Sequence, residues 1–352
     1  MPTLMPTLMP SAGARRWNIV VGSVTVKPSS RVERAISADL RELAALRIEQ
    51  GWHASQTLLW AIQSWERGRH FILRASALEA ETTLDPATIV AATSAFATGP
   101  VAVIGNVITR QEMRGRGLGR AVMSATLEWL REQGARTVLL DATADGQPLY
   151  RKLGFVARER SWFGSAPLAA LDGAMLRARA GSTLARLRST GDLPMVAALD
   201  RAAFGGDRLE LLRLVASASD CWLYTAGDDA APDGYLLVRA LEPPHGFVRL
   251  GPWIATTSQA GAALLESALR ADAPWRAKLA TLDEPQVTFS TSAASAEALA
   301  LFQAAGGALE EDDVVMRLDF ASSEARERES APANAVAEHP DWLYSWLAAM
   351  VF

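Results

Sequence analysis

The sequence predicts an α/β (α+β) fold built as two tandem copies of one unit. Three observations predict it. Residues 101–141 read as an apolar strand, a glycine-rich turn, an amphipathic helix and a second apolar strand. Residues 34–46 align with 187–199, Asp39 with Asp192 and Leu46 with Leu199, 153 positions apart. Residues 149–155 align with 301–307, Tyr150 opposite Phe302, 152 positions apart. Two matches at nearly one offset mark a duplicated domain. Finally, 352 residues are enough for two domains with cores of their own.

The elements follow in chain order. Met-Pro-Thr-Leu repeats at 1–4 and 5–8, and no acidic residue precedes Glu33. Arg15 and Arg16 precede a short apolar run that Lys27 and Pro28 follow; the acid-poor, Arg-containing start leaves an organelle transit peptide or a twin-arginine export segment open, and the shortness of the run favours a disordered extension over both. On that reading residues 1–30 are a flexible extension. The first unit, 31–172, opens with a short strand, a polar turn carrying Asp39 and a helix that ends before Gly51-Trp52-His53. Trp52, Trp60 and Trp65 recur near helical spacing, a stripe expected to be mostly core. After the strand at 101–109, Leu118, Val122, Ala125 and Trp129 share one helix face. A strand at 135–141 and a helix capped by Gly154 complete the unit. The second unit, 183–320, repeats this order with an Ala-rich helix at 259–269. Beyond Phe320, 322–329 is a charged tether. The apolar end, 340–352, should dock on the body or on a partner chain, which makes a homodimer through it one expectation.

Composition excludes several classes. The net charge of −4 provides no basic field for nucleic acid. A single cysteine, Cys221, excludes an internal disulfide and a cysteine metal cluster. His53, His70, His245 and His339 show no ligand spacing, so no metal is expected. No apolar run is long enough to span a bilayer. A cytoplasmic, metal-free protein without nucleic-acid or membrane partners is expected.

The chemistry concentrates at 114–120. A tight turn into a helix points backbone N–H groups at the helix N-terminus, where the macrodipole adds positive charge. Gly117 and Gly119 clear side chains from that spot, and Arg114, Arg116 and Arg120 surround it with charge. This is pyrophosphate-binding chemistry. It is no Walker loop, because Arg120-Ala121 stands where Lys-Ser/Thr is required. A dinucleotide site would use an acid about 20 residues on, near Asp141, but the glycines do not run G-x-G-x-x-G.

The string R-x-x-G-x-G at 114–119, followed one helix and one strand later by the loop-and-helix run 142–155 ending Leu-Tyr-Arg-Lys-Leu-Gly-Phe, resembles the two signatures of the GNAT acetyltransferases. The run 140–155, with Gly-Asn-Val-Ile-Thr at 105–109, is similar to the tandem branch, where an intact N-terminal domain precedes a divergent copy. The resemblance implies that each unit is a mixed, mostly antiparallel twisted sheet flanked by helices. It implies acetyl-CoA as co-substrate, with Arg114, Gly115, Arg116, Gly117, Leu118, Gly119 and Arg120 at its pyrophosphate. Val107, Ile108 and Thr109 would hold the pantetheine arm through backbone groups, with Ile108 or Thr109 N–H facing the thioester, and Thr143 joins the CoA-side set.

For direct transfer to an amine the resemblance places Tyr150 as general acid, since a phenol of pKa about 10 carries its proton at neutral pH. The base is open between Asp141, which can equally cap its loop through Thr143, His53, which departs from the Asn usual in this branch, and a water chain to bulk solvent. Glu112 reads as solvated. Trp52 and His53 fall on the acceptor side. Asp207 and Arg208, after the first helix of the second unit, occupy the equivalent loop and either read the acceptor or serve as a helix cap and a surface cation. The second unit has no R-x-x-G-x-G near 251–261 and has Phe302 for Tyr150, so it reads as a structural or substrate-shaping copy. The implied function is acetyl transfer to a primary amine of a small molecule. A protein lysine or N-terminus is the second reading, and a non-catalytic acyl-CoA sensor or scaffold the third.

Overall fold

The computed structural model describes residues 32–52, 56–78, 83–218, 220–240, 247–279, 284–292, 295–320 and 343–345. The proposed extension, the tether and most of the apolar end lie outside them. The first copy runs β1 (Glu33–Arg34), α1 (Leu40–Glu49), α2 (Gln56–Ser64), β2 (Gly68–Arg74), β3 (Ile89–Ala97), β4 (Val101–Thr109), α3 (Leu118–Glu132), β5 (Thr137–Ala142), α4 (Gln147–Lys152) and β6 (Val156–Pro167). A short α5 (Arg177–Ala180) lies in the connection. The second copy repeats the order as β7 (Ala185–Arg188), α6 (Ala197–Phe204), α7 (Leu209–Ala218), β8 (Cys221–Gly227), β9 (Pro232–Ala240), β10 (Phe247–Ala255), α8 (Ser258–Leu269), β11 (Gln286–Ser292), α9 (Ala296–Ala304) and β12 (Ala308–Asp319). A last strand, β13 (Leu343–Ser345), follows.

Helices cover both faces of the first sheet, which is why β3 is buried at every position. On one face Leu43 and Leu46 of α1 and Leu59 of α2 pack with Ile72, Ile89 and Ile108. On the other, Leu118, Val122, Ala125 and Trp129 of α3 meet Phe71, Val90, Ile104 and Leu140. The expected helix stripe is therefore core. Of the tryptophan stripe, Trp65 is core while Trp60 is 37% exposed.

The strands form one sheet in the order β1-β2-β3-β4-β5-β12-β6-β11-β10-β9-β8-β7. The two last strands are exchanged between the copies. β12 pairs with β5 of the first copy, and β6 pairs with β11 of the second, both antiparallel. A shared core joins the copies: Leu58, Ile62 and Phe96 pack with Phe204, Leu212 and Val215. The strand pairing thus crosses the proposed boundary between 31–172 and 183–320.

The parallel pair β4–β5 is short, matching Val101, Ala102 and Val103 to Thr137, Val138 and Leu139. Beyond it the strands part. The second copy parts in the same way after Phe247–Arg249, but there β13 pairs with Trp253, Ile254 and Ala255 of β10. This part of the chain's end docks on its own body. No helix among the described residues is long and apolar enough to cross a membrane, and no group of three or more His, Cys, Asp or Glu among them could hold a metal ion.

Candidate active site

The parting of β4 from β5 opens a cavity of about 880 Å³, within the range typical of small-molecule sites. Its β4 wall is irregular. Ala92 pairs with Ile108 and Ser94 with Gly105, so one extra residue is inserted, and Asn106 adopts φ +52°. Before this bulge, Ala102 and Ile104 face α3. After it the alternation is inverted, so that Val107 faces the α3 side and Ile108 packs toward α1. Val107 and Thr109 therefore line the cavity, whereas the Ile108 side chain does not.

A buried polar chain holds the bulge in place. Arg47 Nη1 donates to Asn106 Oδ1, Asn106 Nδ2 donates to Ser94 Oγ at 2.8 Å, and Ser94 Oγ lies 2.7 Å from His70 Nδ1. His70 Nε2 reaches the Leu59 carbonyl at 2.9 Å. A carbonyl only accepts, so Nε2 carries the proton and Nδ1 accepts from Ser94. Burial lowers the His70 pKa to about 4 and that of Arg47 to about 10.

At one end of the cavity lies the start of α3. Its cap is Gly117, at φ +80°, and no side chain caps the helix. The first N–H groups of α3 therefore remain available to an anion. A β-carbon on Gly119 would come within 3.2 Å of Thr109 Oγ1 and 3.4 Å of Leu149 Cδ2, so only glycine fits without displacement. Arg120 Nε is buried and has no hydrogen-bond partner among the described residues. Arg114, Gly115, Gly117, Leu118, Gly119, Arg120 and Thr143 all line the cavity, and Arg116 is exposed outside it. This donor-rich, glycine-cleared end fits a coenzyme A pyrophosphate. In the second copy the matching helix, α8, is capped by Thr257, whose hydroxyl accepts from Ala260 N–H at 3.1 Å.

Tyr150, on α4, lines the cavity and is 6% exposed. Its ring is set by Phe155, edge-on at 6.0 Å, and by the close approach of Gly146, where a β-carbon would lie 2.8 Å from Tyr150 Cε2. The phenol is held above its ordinary pKa, first by burial and then by the negative charge of Asp313. Asp141, at the end of β5 and 8% exposed, and Trp52 also line the cavity. Thr143 ties the loop, accepting from Gly146 N–H through its hydroxyl at 3.3 Å.

The remaining wall comes from residues that sequence reasoning missed. Ser161 and Phe163 of β6 contribute, as do Arg249 of β10, Ser290 of β11, and Glu310 and Asp313 of β12. Arg249 Nη2 donates to Ser290 Oγ at 2.8 Å. The one visible signal in the sequence was the acidic run 310–313, which interrupts the alternation of a strand.

Asp207 and Arg208 are not at the cavity, which corrects the expectation that they read the acceptor. Asp207 accepts from Leu209 N–H at 3.2 Å at the start of α7 and pairs with Arg201 at 2.9 Å. Arg208 is buried, bonded to Asp200 through Nε and Nη2 and stacked over Phe204 at 4.1 Å. Tyr235 donates to the same carboxylate. The pair neutralises itself in the core. His53 lies outside the described residues.

Two copies of one sheet-and-helix unit, each with parted parallel strands, define an α/β protein of the tandem GNAT fold. Residues 38–155 match the model of the acetyltransferase (GNAT) family, and this part of the chain is a GNAT acetyltransferase domain. The chain is 32% identical over 181 residues to the uncharacterized N-acetyltransferase YitH of Bacillus subtilis, covering 50% of this chain and 59% of that protein. Among solved structures, a tandem GNAT protein from the clavulanic acid biosynthesis pathway is similar with TM-score 0.57 and 15% identity, over 83% of this chain and 99% of that one. A GCN5-related N-acetyltransferase of Sphaerobacter thermophilus is similar with TM-score 0.54 and 17% identity, over 84% and 97%. At such identities the two structures speak for the fold alone.

Proposed function

We propose that the chain transfers an acetyl group from acetyl-CoA to a primary amine of a small molecule, at one site in the first copy. The observation that carries this reading is the single cavity wall running from the uncapped start of α3 to Tyr150. Arg114, Arg120 and the first N–H groups of α3 would hold the pyrophosphate. The unpaired edge of β4 at 104–109 would hold the pantetheine arm and present an N–H to the carbonyl oxygen as charge develops on it. Bound there, acetyl-CoA supplies an activated thioester carbonyl. Tyr150, protonated and buried, would give its proton to the departing sulfur.

The second copy favours a small acceptor over a protein one. Arg249, Ser290, Glu310 and Asp313 wall the cavity opposite β4. That wall carries both signs of charge, which suits a small polar amine better than an extended peptide laid across an open groove.

The test offers acetyl-CoA with four classes of primary amine (an amino sugar, a phosphorylated amino sugar, an amino acid and a polyamine), with free thiol as the readout. Acetylation of at least one, with calorimetry giving one CoA per chain, is expected. Acetylation of protein lysines alone would overturn the small-molecule reading. CoA binding without any transfer would favour a sensor.

A further inference from the structure

The strand that closes the site belongs to the other copy. Along β12, Glu311 pairs with Trp162 of β6 and the next matched pair is Val314 with Arg160. Two residues, Asp312 and Asp313, therefore stand against the single Ser161, which makes a β-bulge. In a regular strand, residues three apart face opposite sides of the sheet. Here Glu310 and Asp313 both line the cavity. The bulge also lies where pairing with β5 begins, at Val314 with Ala142, beside Asp141. Bulges re-aim side chains at such places, and this one turns a carboxylate toward Tyr150.

We propose that Asp313 is the proton acceptor for the attacking amine, a catalytic carboxylate that the second copy supplies to the site of the first. The inference rests on the acetyl-transfer reading. The nitrogen lone pair forms the N–C bond at the thioester carbonyl, and the carbonyl π electrons move to oxygen. The nitrogen is now cationic and acidic, and it gives its proton to Asp313. As the oxygen electrons return, the C–S bond breaks with its pair on sulfur, and sulfur takes the Tyr150 proton. The proton on Asp313 passes to the tyrosinate, directly or through water. One amine proton thus ends on the CoA thiol, and both side chains are restored.

Two observations select Asp313 among the carboxylates of the cavity. Of these, Asp313 is the one whose charge acts on the Tyr150 phenol. It is also half-buried, set between Asp145 and Glu310, which are exposed, and Asp141, which is only 8% exposed. The coupling to Tyr150 has a chemical use. While Asp313 is ionised, its charge disfavours a tyrosinate beside it. Once Asp313 has taken the amine proton that repulsion is gone, and Tyr150 becomes a better acid at the moment the thiolate leaves.

The experiment uses the full chain, acetyl-CoA and the best acceptor of the four amine classes, with kcat/KM followed from pH 6 to 10. The titratable and charged groups that line the cavity with Asp313 are Asp141 on β5, Asp145 in the loop after it, Glu310 on its own strand, Arg249 on β10, Arg47 on α1, Arg114 and Arg120 at the start of α3, and the phenol of Tyr150 on α4. All of them are retained in the variants. Asp313→Asn should lower kcat/KM at pH 7 by about 10²- to 10⁴-fold, the usual scale for a general base. The loss should shrink as pH rises and hydroxide takes over the proton from the cationic nitrogen, while CoA affinity stays within a few-fold of wild type. Asp313→Glu should restore part of the rate and the wild-type pH profile. A loss by the same factor at every pH, or no loss in a wild-type background that acetylates, would overturn the role of Asp313 alone. Wild type acetylating none of the amines would overturn this inference together with the function on which it rests.

Discussion

His70 offers a sharp test of how the β4 bulge is held. The imidazole is fully buried on β2 and neutral, with the Leu59 carbonyl on Nε2 and the Ser94 hydroxyl on Nδ1. Protonation would put a second N–H against Ser94, which already accepts from Asn106, and would place an unpaired charge in the core. The folded pKa is lowered to about 4, against 6.5 for an exposed histidine, because burial penalises the cation. The unfolded chain therefore binds a proton through a range where the folded chain does not. Stability falls as pH drops from about 6.5 to about 4, and the neutral-state stability is fully present above 6.5. At roughly 1.4 kcal/mol per unit, the loss between pH 7 and 4.5 comes to about 2 to 3 kcal/mol. Urea unfolding at a series of pH values, for wild type and for His70→Gln, isolates the histidine from the carboxylates common to both. The wild-type curve should fall more steeply by that amount, so that the gap between the two narrows with acid. Parallel curves would refute the neutral, buried assignment and with it the network that fixes Asn106.

Three further outcomes are expected. Tyr150→Phe should lower single-turnover acetyl transfer by about ten- to a thousandfold with CoA affinity little changed, and an unchanged rate would make Tyr150 a packing residue. Gly117→Asp should abolish CoA binding in calorimetry, because it places a β-carbon at φ +80° and a negative charge at the open end of α3; affinity within threefold of wild type would refute the cradle. Truncation after residue 180 should leave an insoluble or poorly folded fragment, since it removes β12 from between β5 and β6 and uncovers Leu58, Ile62 and Phe96; a soluble fragment that acetylates the acceptor with unchanged KM would refute the dependence of the site on the second copy.

Local patterns in the sequence reached some parts of this molecule and not others. The turn at 114–119, the face of α3 and Tyr150 were legible because each depends on residues within a few positions of one another. The duplication was legible because a repeat survives at a fixed offset. The strand exchange was not. β6 and β12 are equivalent strands of the two copies, and nothing in either period says which of them lies beside β5. With the exchange went Glu310 and Asp313, since a residue some 160 positions from Tyr150 reaches it only through that pairing. Arg208 misled for the opposite reason. A charged residue in a short loop normally meets water, but Asp200 on α6 and the Tyr235 hydroxyl on β9 turn inward to meet it, and only the tertiary fold brings those partners together.

The exchange also accounts for what the second copy has kept and what it has lost. Thr257 caps α8, and β13 takes up the edge of β10 where the strands part, so in this copy the helix start is capped and the parted edge is paired. Its strands remain essential. β5 has only three residues paired with β4, and its pairing with β12 runs from Thr137 to Ala142. The strand that carries Asp141 and leads into the Tyr150 helix therefore has most of its strand pairing with the second copy. β6, which offers Ser161 and Phe163 to the cavity, is held on its other side by β11. A change that loosened the second copy would displace Arg249, Ser290, Asp313 and the end of β5 together, while the start of α3 and the β4 bulge, both built within the first copy, would keep their shape. The two ends of the cavity thus have separate mechanical supports, the start of α3 and the β4 bulge in the first copy and the wall of Arg249, Ser290, Glu310 and Asp313 in the second, and the exchanged strands are what couples them.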